Sequence, residues 1–511
     1  YTVRRATEGL CRYLNDDFDS PSCVIGYDSR INSERFAKEA ACVLAAGGVK
    51  VWIFAELIPT PIVAYAVREL KCSSGIIITA SHNPSKYNGY KCYDERGYQM
   101  TDDAAGKTLA YINKTDMFGD FGKIDFDTAV EKGLVEYVSA DVIDKYFGLV
   151  KTRLVDTEVS AKAGLSVIYT PLNGTGNKPV RRILDMIGIK DVTVVESQEL
   201  PDGNFPTCPF PNPEIRDAFN EALKTAENKK ADLLLATDPD CDRVGIAVLD
   251  NGEYKLLTGN DVGCILIDYI LSRKKAAGTL VEKPVVIKSI VTSDMAAQIA
   301  ESYGAEVVNV LTGFKYIGEY ITQLEEKGEV DRFEIGFEES YGYLTGAHTR
   351  DKDAVNASMM ICEAASYYKL QGKTLIDALD ELHSRFGYWK NSLFNFFFEG
   401  ADGMAKMAAI MDSLRKAYPR SLGGEKAVGA DDYKKSVSVD FATGGESVLT
   451  LPKSNVIALR FENGDKVVVR PAGTEPKIKV YTMVRGKDEK EASAKTSAYE
   501  KELLSLVGIG E

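Results

Sequence analysis

The chain has little of what several classes of metal and membrane protein need. It contains three histidines in 511 residues, too few for a His-rich zinc site. No apolar run reaches the roughly 18 residues of a membrane-spanning helix, and no signal-peptide pattern is visible. Basic residues are outnumbered, with 62 Lys and Arg against 75 Asp and Glu, so the net charge is −13. This charge argues against nucleic acid and anionic membranes as partners.

The nine cysteines are scattered and include no CxxC pair. This distribution favours buried free thiols in a reducing cytoplasm over a disulfide framework. The first residues, "YTVRRATEGL", already have a helical pattern. We therefore expect further residues of the same domain to precede them.

The order of strand-like and helix-like segments predicts the fold class. A chain of this length suggests about three to five domains. Alternating strands and helices recur three times and predict three similar α/β domains with mixed sheets. The last part, with the hairpin signal "ENGD", predicts an α+β domain with an antiparallel sheet. The predicted domains are residues 1–153, 154–275, 276–390 and 391–511.

The first polar loop, "TASHNPSKYNGYK", follows the buried strand "GIII". Ser81 comes soon after this strand, with His82, Asn83 and Lys91 near it in sequence. A serine among bases and cations can act as a nucleophile or carry a phosphoryl group. The same letters are also typical of a plain Ser/Asn-Pro turn, and the stretch is not the GxSxG of serine hydrolases.

The second loop is "ATDPDCDR", which places Asp238, Asp240 and Asp242 at alternate positions. Three carboxylates in a tight loop repel one another unless a cation holds them. An all-oxygen ligand set suits a hard divalent metal, Mg²⁺ first. Arg243 follows directly and could bind a phosphate, although an acidic solvent-exposed turn would give the same letters.

Two further loops complete the pattern. In "GFEESYGY" an extended backbone would place Glu338 and Ser340 on the same side, as partners for sugar hydroxyls. In "RPAGTEPK" Arg470, Gly473 and Thr474 could surround a phosphate. A surface loop and a β-turn are the alternatives. One such loop per domain predicts a phosphosugar site in a central cleft shared by four domains.

These four loops, in this order, resemble the α-D-phosphohexomutase superfamily over nearly the whole chain. The resemblance implies that Ser81 carries the phosphoryl group and that the three aspartates bind Mg²⁺ together with a phosphoserine oxygen. It also implies proton handling by His82 or Lys91, with neither assigned as the base. Further implied residues are the substrate contacts Arg243, Thr312, Gly313, Glu338, Ser340 and Lys352, the phosphate contacts Arg470, Gly473 and Thr474, and the supporting Arg30 and Asn83.

The motif "GFEESYGY" is similar to the GEESFG of glucose-type members. The resemblance therefore implies interconversion of glucose 1-phosphate and glucose 6-phosphate, with Mg²⁺ as cofactor and glucose 1,6-bisphosphate as activator. A cytoplasmic monomer or dimer with a small phosphosugar as partner is expected. Open alternatives are phosphomannomutase or phosphopentomutase activity, an aspartyl nucleophile in "DPDCD", and a non-catalytic phosphosugar-binding relative.

Overall fold

A computed structural model describes residues 1–119, 121–122, 124–398, 402–472 and 476–506. The chain divides into two compact units. The first unit comprises Tyr1–Lys288, Tyr303–Val308 and Gly313–Ala378, and the second comprises Ser289–Ser302, Asn309–Thr312 and Leu379–Glu511. Within the described ranges, no helix combines the length and the apolar character needed to span a membrane.

The first sheet of the first unit has the order β4-β3-β1-β2-β5, and only β4 runs antiparallel to its neighbour. Its central strand residues, such as the "SGIII" of β3, are buried throughout, as expected for strands covered on both faces. The strands are β1 (Ser22–Tyr27), β2 (Lys50–Ile53), β3 (Ser74–Ile78), β4 (Tyr90–Asp94) and β5 (Val135–Tyr137). The helices are α1 (Thr2–Asp17), α2 (Ser33–Ala46), α3 (Thr60–Glu69), α4 (Asp102–Lys114), α5 (Phe126–Glu131) and α6 (Ala140–Lys151).

The second sheet has the order β10-β9-β8-β6-β7. Strands β6, β7 and β8 are parallel, and β9 returns antiparallel to β8 after the acidic loop. The strands are β6 (Ser166–Thr170), β7 (Asp191–Val194), β8 (Leu233–Thr237), β9 (Val244–Asp250) and β10 (Glu253–Leu257). The helices are α7 (Val159–Ala163), α8 (Asn177–Met186), α9 (Glu196–Glu199), a 3-10 turn (Arg216–Phe219) and α10 (Asn220–Asn228).

The third sheet has the order β12-β11-β13-β14, with β13 and β14 forming a hairpin. The long helix α11 begins with a capping box, in which Thr258 and Asp261 satisfy each other's backbone N–H groups. The elements are α11 (Gly259–Ala277), β11 (Val285–Ser289), β12 (Glu306–Val310), α13 (Lys315–Glu326), a 3-10 turn (Val330–Arg332), β13 (Phe333–Glu338), β14 (Gly342–Thr345) and α14 (Ala354–Lys369).

The second unit is built on an antiparallel sheet of order β15-β22-β21-β20-β17-β18-β19, with β16 paired to β17. The Asn-Gly turn predicted in "ENGD" joins β20 to β21, and Gly464 there has φ 87°. The elements are α12 (Asp294–Ser302), α15 (Leu375–Phe386, which begins in the first unit), β15 (Tyr388–Phe397), α16 (Gly403–Lys416), β16 (Ser421–Leu422), β17 (Glu425–Asp432), β18 (Val437–Asp440), β19 (Glu446–Val448), β20 (Ile457–Phe461), β21 (Lys466–Pro471), β22 (Lys477–Gly486) and α17 (Glu489–Leu506).

The predicted fold class, three mixed α/β sheets followed by an antiparallel one, is therefore confirmed. The nine cysteines are free, as expected, and all but Cys42 and Cys92 are buried. The predicted domain boundaries and the shared central cleft stay predictions.

Candidate active site

The loop after β3 holds Ser81 in a left-handed backbone conformation, with φ 51°. Thr79 fixes this turn, because its Oγ1 accepts a hydrogen bond from the Ser81 N–H at 2.8 Å. The same Thr79 hydroxyl donates to Asp28 Oδ2 at 2.7 Å. The Ser81 side chain is therefore presented by a turn that is anchored to the end of β1.

Arg30 binds the Ser81 loop through the backbone. Its Nη2 donates to the carbonyl oxygens of Ser81 and Asn83, both at 2.5 Å. Its Nη1 donates to the carbonyls of Pro84 at 2.9 Å and Tyr87 at 3.1 Å. The supporting position predicted for Arg30 thus corresponds to four contacts along the loop, and the contact that Asn83 makes here is through its backbone carbonyl.

Asp28 pairs with Arg30, since its Oδ2 lies 3.1 Å from Arg30 Nε and neither side chain is exposed. Burial raises the pKa of Asp28 to about 6, and the Arg30 charge opposes that rise. Asp28 also accepts hydrogen bonds from the Arg30 N–H and the Ser33 hydroxyl. These bonds fix the orientation of the guanidinium that holds the Ser81 loop.

The predicted metal triad forms a compact buried cluster between β8 and β9. Asp238, Asp240 and Asp242 are completely buried, and one carboxylate oxygen from each lies within 4.8 Å of the others. Among the described residues, Asp240 Oδ1 and Asp242 Oδ1 receive no hydrogen bond. Burial, and then the charges of Asp240 and Asp242, raise the pKa of Asp238 well above its usual range. Closely spaced carboxylates with unpartnered oxygens fit a hard divalent cation such as Mg²⁺.

Two lysines flank the triad. Lys91 Nζ lies 2.9 Å from Asp240 Oδ2 and 3.7 Å from Asp242 Oδ2, and Lys352 Nζ lies 2.7 Å from Asp242 Oδ2. Burial alone would raise the pKa of Asp240, but the Lys91 charge holds it below the usual range. Lys91 and Lys352 therefore lie beside the aspartates, while the predicted roles of Lys91 in proton handling and of Lys352 in substrate contact stay predictions.

Ser81 meets the triad directly. Its Oγ donates a hydrogen bond to Asp238 Oδ2 at 2.8 Å and lies 3.1 Å from His82 Nδ1. Burial, and then the Arg243 charge, lowers the pKa of His82 to about 2, so the imidazole is neutral. The first unit thus brings the predicted phosphoryl carrier, a neutral imidazole and the predicted metal ligands together.

Arg243 follows the triad and is already paired, because its Nη1 forms a salt bridge with Glu214. Burial would lower the pKa of Arg243, but Glu214 and the aspartates raise it above its usual value. Glu214 comes from the loop before the 3-10 turn Arg216–Phe219. Glu214 was not among the predicted residues, because the letters "PNPE" around it carry no signal of an ion pair.

The predicted sugar loop is partly different from expectation. Glu338 ends β13, is buried, and accepts a hydrogen bond from the Gly313 N–H at 2.7 Å. Burial, and then the neighbouring Glu339, raises the pKa of Glu338 to about 7. The extended geometry predicted for Glu338 and Ser340 is wrong, because the chain turns after Glu338 and Tyr341 has φ 65°. Ser340 lies half-buried in this turn.

The remaining predicted residues lie elsewhere in the chain. Thr312 and Arg470 belong to the second unit, Arg470 within β21. Gly473 and Thr474 fall outside the described residues. Their proposed roles stay predictions.

Two contacts beside the triad were not foreseen. Thr60, the first residue of α3, donates from Oγ1 to Asp240 Oδ2 at 3.1 Å. Tyr93 donates to Asp351 Oδ2 at 2.7 Å, and Asp351 Oδ1 accepts from the Lys352 N–H. Tyr93 follows Lys91 by two residues and therefore shares its face of β4. This spacing is the sequence feature that could have predicted Tyr93 to lie near the aspartates.

Three models of phosphoglucomutase/phosphomannomutase domains match the chain. Alpha/beta/alpha domain I matches residues 1–118, domain II residues 144–252 and domain III residues 258–386. A phosphoglucomutase of Staphylococcus saprophyticus is 36% identical over 482 residues, covering 94% of this chain and 86% of the relative. One from Staphylococcus aureus strain USA300 is 36% identical over 489 residues, covering 95% and 86%.

Solved structures share the fold at lower identity. The open form of the phosphoglucomutase parafusin from Paramecium has a TM-score of 0.72 at 18% identity and covers 99% of this chain and 91% of its own. A phosphoglucomutase/phosphomannomutase family protein from Burkholderia thailandensis has a TM-score of 0.69 at 17% identity and covers 99% and 93%. By domain order and by identity along almost its whole length, the chain belongs to the phosphoglucomutase/phosphomannomutase family of the α-D-phosphohexomutase superfamily.

Proposed function

We propose that this protein is a phosphoglucomutase that interconverts glucose 1-phosphate and glucose 6-phosphate. The observation that carries the proposal is the hydrogen bond from Ser81 Oγ to Asp238, one member of the buried aspartate triad. A hydroxyl held against clustered carboxylates is where a phosphoryl carrier needs to lie, because phosphoryl transfer depends on positioning and on charge neutralisation.

In this mechanism phospho-Ser81 donates its phosphoryl group to the free hydroxyl of the bound hexose monophosphate. The Ser81 Oγ–P bond breaks, a new bond forms to the sugar oxygen, and a 1,6-bisphosphate results. This intermediate reorients and returns its other phosphoryl group to Ser81. The attacking sugar hydroxyl gives up its proton in this step, and the departing Ser81 Oγ takes one up. His82, whose Nδ1 lies 3.1 Å from Ser81 Oγ, and Lys91 are the candidates for carrying these protons, with neither assigned as the base.

Asp238, Asp240 and Asp242 would hold Mg²⁺, which neutralises negative charge on the transferring group when bound. Lys91 and Lys352 supply fixed positive charge on the same side of the aspartates. Added glucose 1,6-bisphosphate would act as an activator by phosphorylating Ser81. Arg243 would help to balance the negative charge that develops on the reacting group. Lys352 and Arg470, with Gly473 and Thr474, are proposed contacts for the phosphate that is not reacting.

Glu338 is the proposed contact for sugar hydroxyls, together with Ser340, Thr312 and Gly313. Its carboxylate is held by the Gly313 N–H, so it has one defined orientation. A cytoplasmic enzyme acting on a small phosphosugar, as a monomer or dimer, accords with this proposal. Mannose and pentose phosphates are the alternative substrates on the same scaffold.

A coupled assay tests the proposal. Purified protein is given glucose 1-phosphate, Mg²⁺ and a trace of glucose 1,6-bisphosphate, and glucose 6-phosphate formation is followed beside mannose 1-phosphate and ribose 1-phosphate. Fast turnover of the glucose substrate is expected in the wild type and none in Ser81→Ala. Ser73→Ala, a serine in the loop before β3, is the matched control and should keep its activity.

The nature of the phosphoenzyme separates the proposal from an aspartyl mechanism. Labelled protein should keep its phosphate in acid if the phosphate is on Ser81, whereas an acyl phosphate on an aspartate is lost. Turnover in Ser81→Ala near the wild-type rate would contradict the phosphoserine mechanism. A folded wild type that binds the sugar phosphate without turnover would instead favour the non-catalytic relative.

A further inference from the structure

A separate cavity of about 700 Å³ lies between helices α6 and α8 of the first unit. We call it the α6–α8 cavity. Its deep walls are apolar and include Phe54, Ile62 and Phe147, all at most 3% exposed. Its volume falls within the roughly 300–1,000 Å³ of typical small-molecule sites. An apolar body the size of one or two rings would fit it.

One buried polar residue lines this cavity. Thr175 lines it and is only 2% exposed, yet its Oγ1 has no hydrogen-bond partner among the described residues. A buried hydroxyl without a partner is unfavourable, so a ligand with a hydrogen-bonding group would be stabilised there. Thr175 also lies two residues before the ten-residue helix α8, whose N-terminus favours negative charge.

The rim supplies cations that can exchange partners. Lys178 and Arg182 both line the cavity. Lys178 Nζ lies 2.5 Å from Glu56 Oε2, and Arg182 Nη2 lies 2.6 Å from Asp144 Oδ1. These are exposed surface pairs, which contribute little stability and rearrange readily. The Arg182 guanidinium also lies 4.1 Å from the centre of the Phe147 ring. Glu34 and Glu56 also line the cavity, so an anionic group that binds Lys178 has to displace Glu56. Together these features match an apolar body that carries a single anionic head group.

Segments on two sides of the cavity are hydrogen-bonded to the loop that carries Asp238, Asp240 and Asp242. On one wall, the Thr175 N–H donates to the Pro239 carbonyl at 2.8 Å. On the other, Ile58 and Ile62 flank Thr60, whose N–H donates to the Asp240 carbonyl at 2.9 Å. We propose that the α6–α8 cavity is an effector site for a small amphipathic anion, and that its occupancy alters turnover through these two backbone contacts.

Titration with the dye ANS, an aromatic sulfonate, tests binding on the intact protein. One saturable site is expected by fluorescence and calorimetry. Thr175→Val, which replaces the hydroxyl with a methyl group of similar size, should weaken binding by about tenfold, and Ile143→Trp, which fills the cavity from α6, should abolish it. Thr152→Val, on the exposed end of α6, is the matched control. Equal binding by all four proteins, or binding that does not saturate, would overturn the site.

The effect on turnover rests on the proposed function, so turnover without ANS is measured first. An inactive wild type would contradict the proposed function, while the binding titration would still decide whether the cavity is a site. In an active enzyme, saturating ANS should change kcat at least twofold in the wild type and in Thr152→Val, and leave Ile143→Trp unaffected. Bound ANS with unchanged kcat would overturn the effector role, as would the same change in Ile143→Trp.

Discussion

Thr60 and Asp240 are joined by two hydrogen bonds across a separation of 180 positions in the chain. The Thr60 hydroxyl donates to the carboxylate of Asp240, and the Thr60 N–H donates to its carbonyl oxygen. The N-terminus of α3 thereby fixes one proposed metal ligand by both side chain and backbone. Helix α3, which belongs with the first sheet, thus orients Asp240 in the loop between β8 and β9 of the second sheet.

Replacing Thr60 by valine should therefore weaken Mg²⁺ binding without unfolding the protein. The substitution keeps the shape of the side chain and removes one hydrogen bond to a charged group, which contributes about 1.5–3 kcal/mol. We expect the Mg²⁺ concentration for half-maximal activity to rise by about tenfold. The Mg²⁺ dependence of turnover measures it, with Thr152→Val as control. An unchanged dependence would show that the bond does not orient Asp240 for the metal.

Arg30→Lys should lower kcat more than it changes KM. A lysine ammonium cannot donate to four carbonyls from a planar fork, so the Ser81 loop loses its defined position while the sugar contacts remain. We expect kcat to fall by about tenfold or more, given the strength of hydrogen bonds from charged donors. Steady-state kinetics on Arg30→Lys and on exposed Arg35→Lys test this. A rise in KM alone would place Arg30 in substrate binding instead.

Mg²⁺ should raise the unfolding midpoint of the wild type, and EDTA should reverse the rise. Three buried carboxylates repel one another, so a cation that binds only the folded state stabilises it. Asp240→Asn should reduce the rise, whereas Asp250→Asn, at the far end of β9, should not. Thermal unfolding at several Mg²⁺ concentrations measures this. Equal shifts in Asp240→Asn and the wild type would place the cation elsewhere.

Glu363 should make stability depend on pH near neutrality. Burial raises the pKa of Glu363 to about 7, although its Oε1 accepts hydrogen bonds from the Val155 and Asp156 N–H groups. A carboxyl with a raised pKa favours the folded state when protonated, so this stability is present at low pH and is lost as pH rises through about 7.

Glu363→Gln keeps an oxygen that can accept both N–H bonds and carries no charge. At pH 8 the variant should be more stable than the wild type by about 1–3 kcal/mol, and at pH 5 the difference should vanish or reverse. Unfolding midpoints from pH 5 to 8 measure this, with exposed Glu131→Gln as control. A difference that stays constant over this range would exclude the titration of Glu363.

Local patterns predicted the sheets and the loops at their ends well. The apolar run before Ser81 and the alternate aspartates of "DPDCD" indicate where strands stop and charges gather, and both are properties of neighbouring residues. The pairing of Glu214 with Arg243, the Arg30 contacts and the Thr60 bonds join distant segments, so no local pattern reports them. The turn after Glu338 was not predicted, because it includes a left-handed backbone conformation at Tyr341, and the local sequence pattern does not indicate that conformation.

The left-handed backbone of Ser81 bears on which hydroxyl amino acid can serve at this position. Side chains branched at Cβ are strongly disfavoured at positive φ, so threonine would strain the turn that Thr79 and Arg30 hold. A threonine offers the same nucleophilic oxygen, but it would displace that oxygen or loosen the loop. Position 81 therefore requires both a hydroxyl group and a side chain that is not branched at Cβ, and serine has both. Ser81→Thr should not restore the function lost in Ser81→Ala.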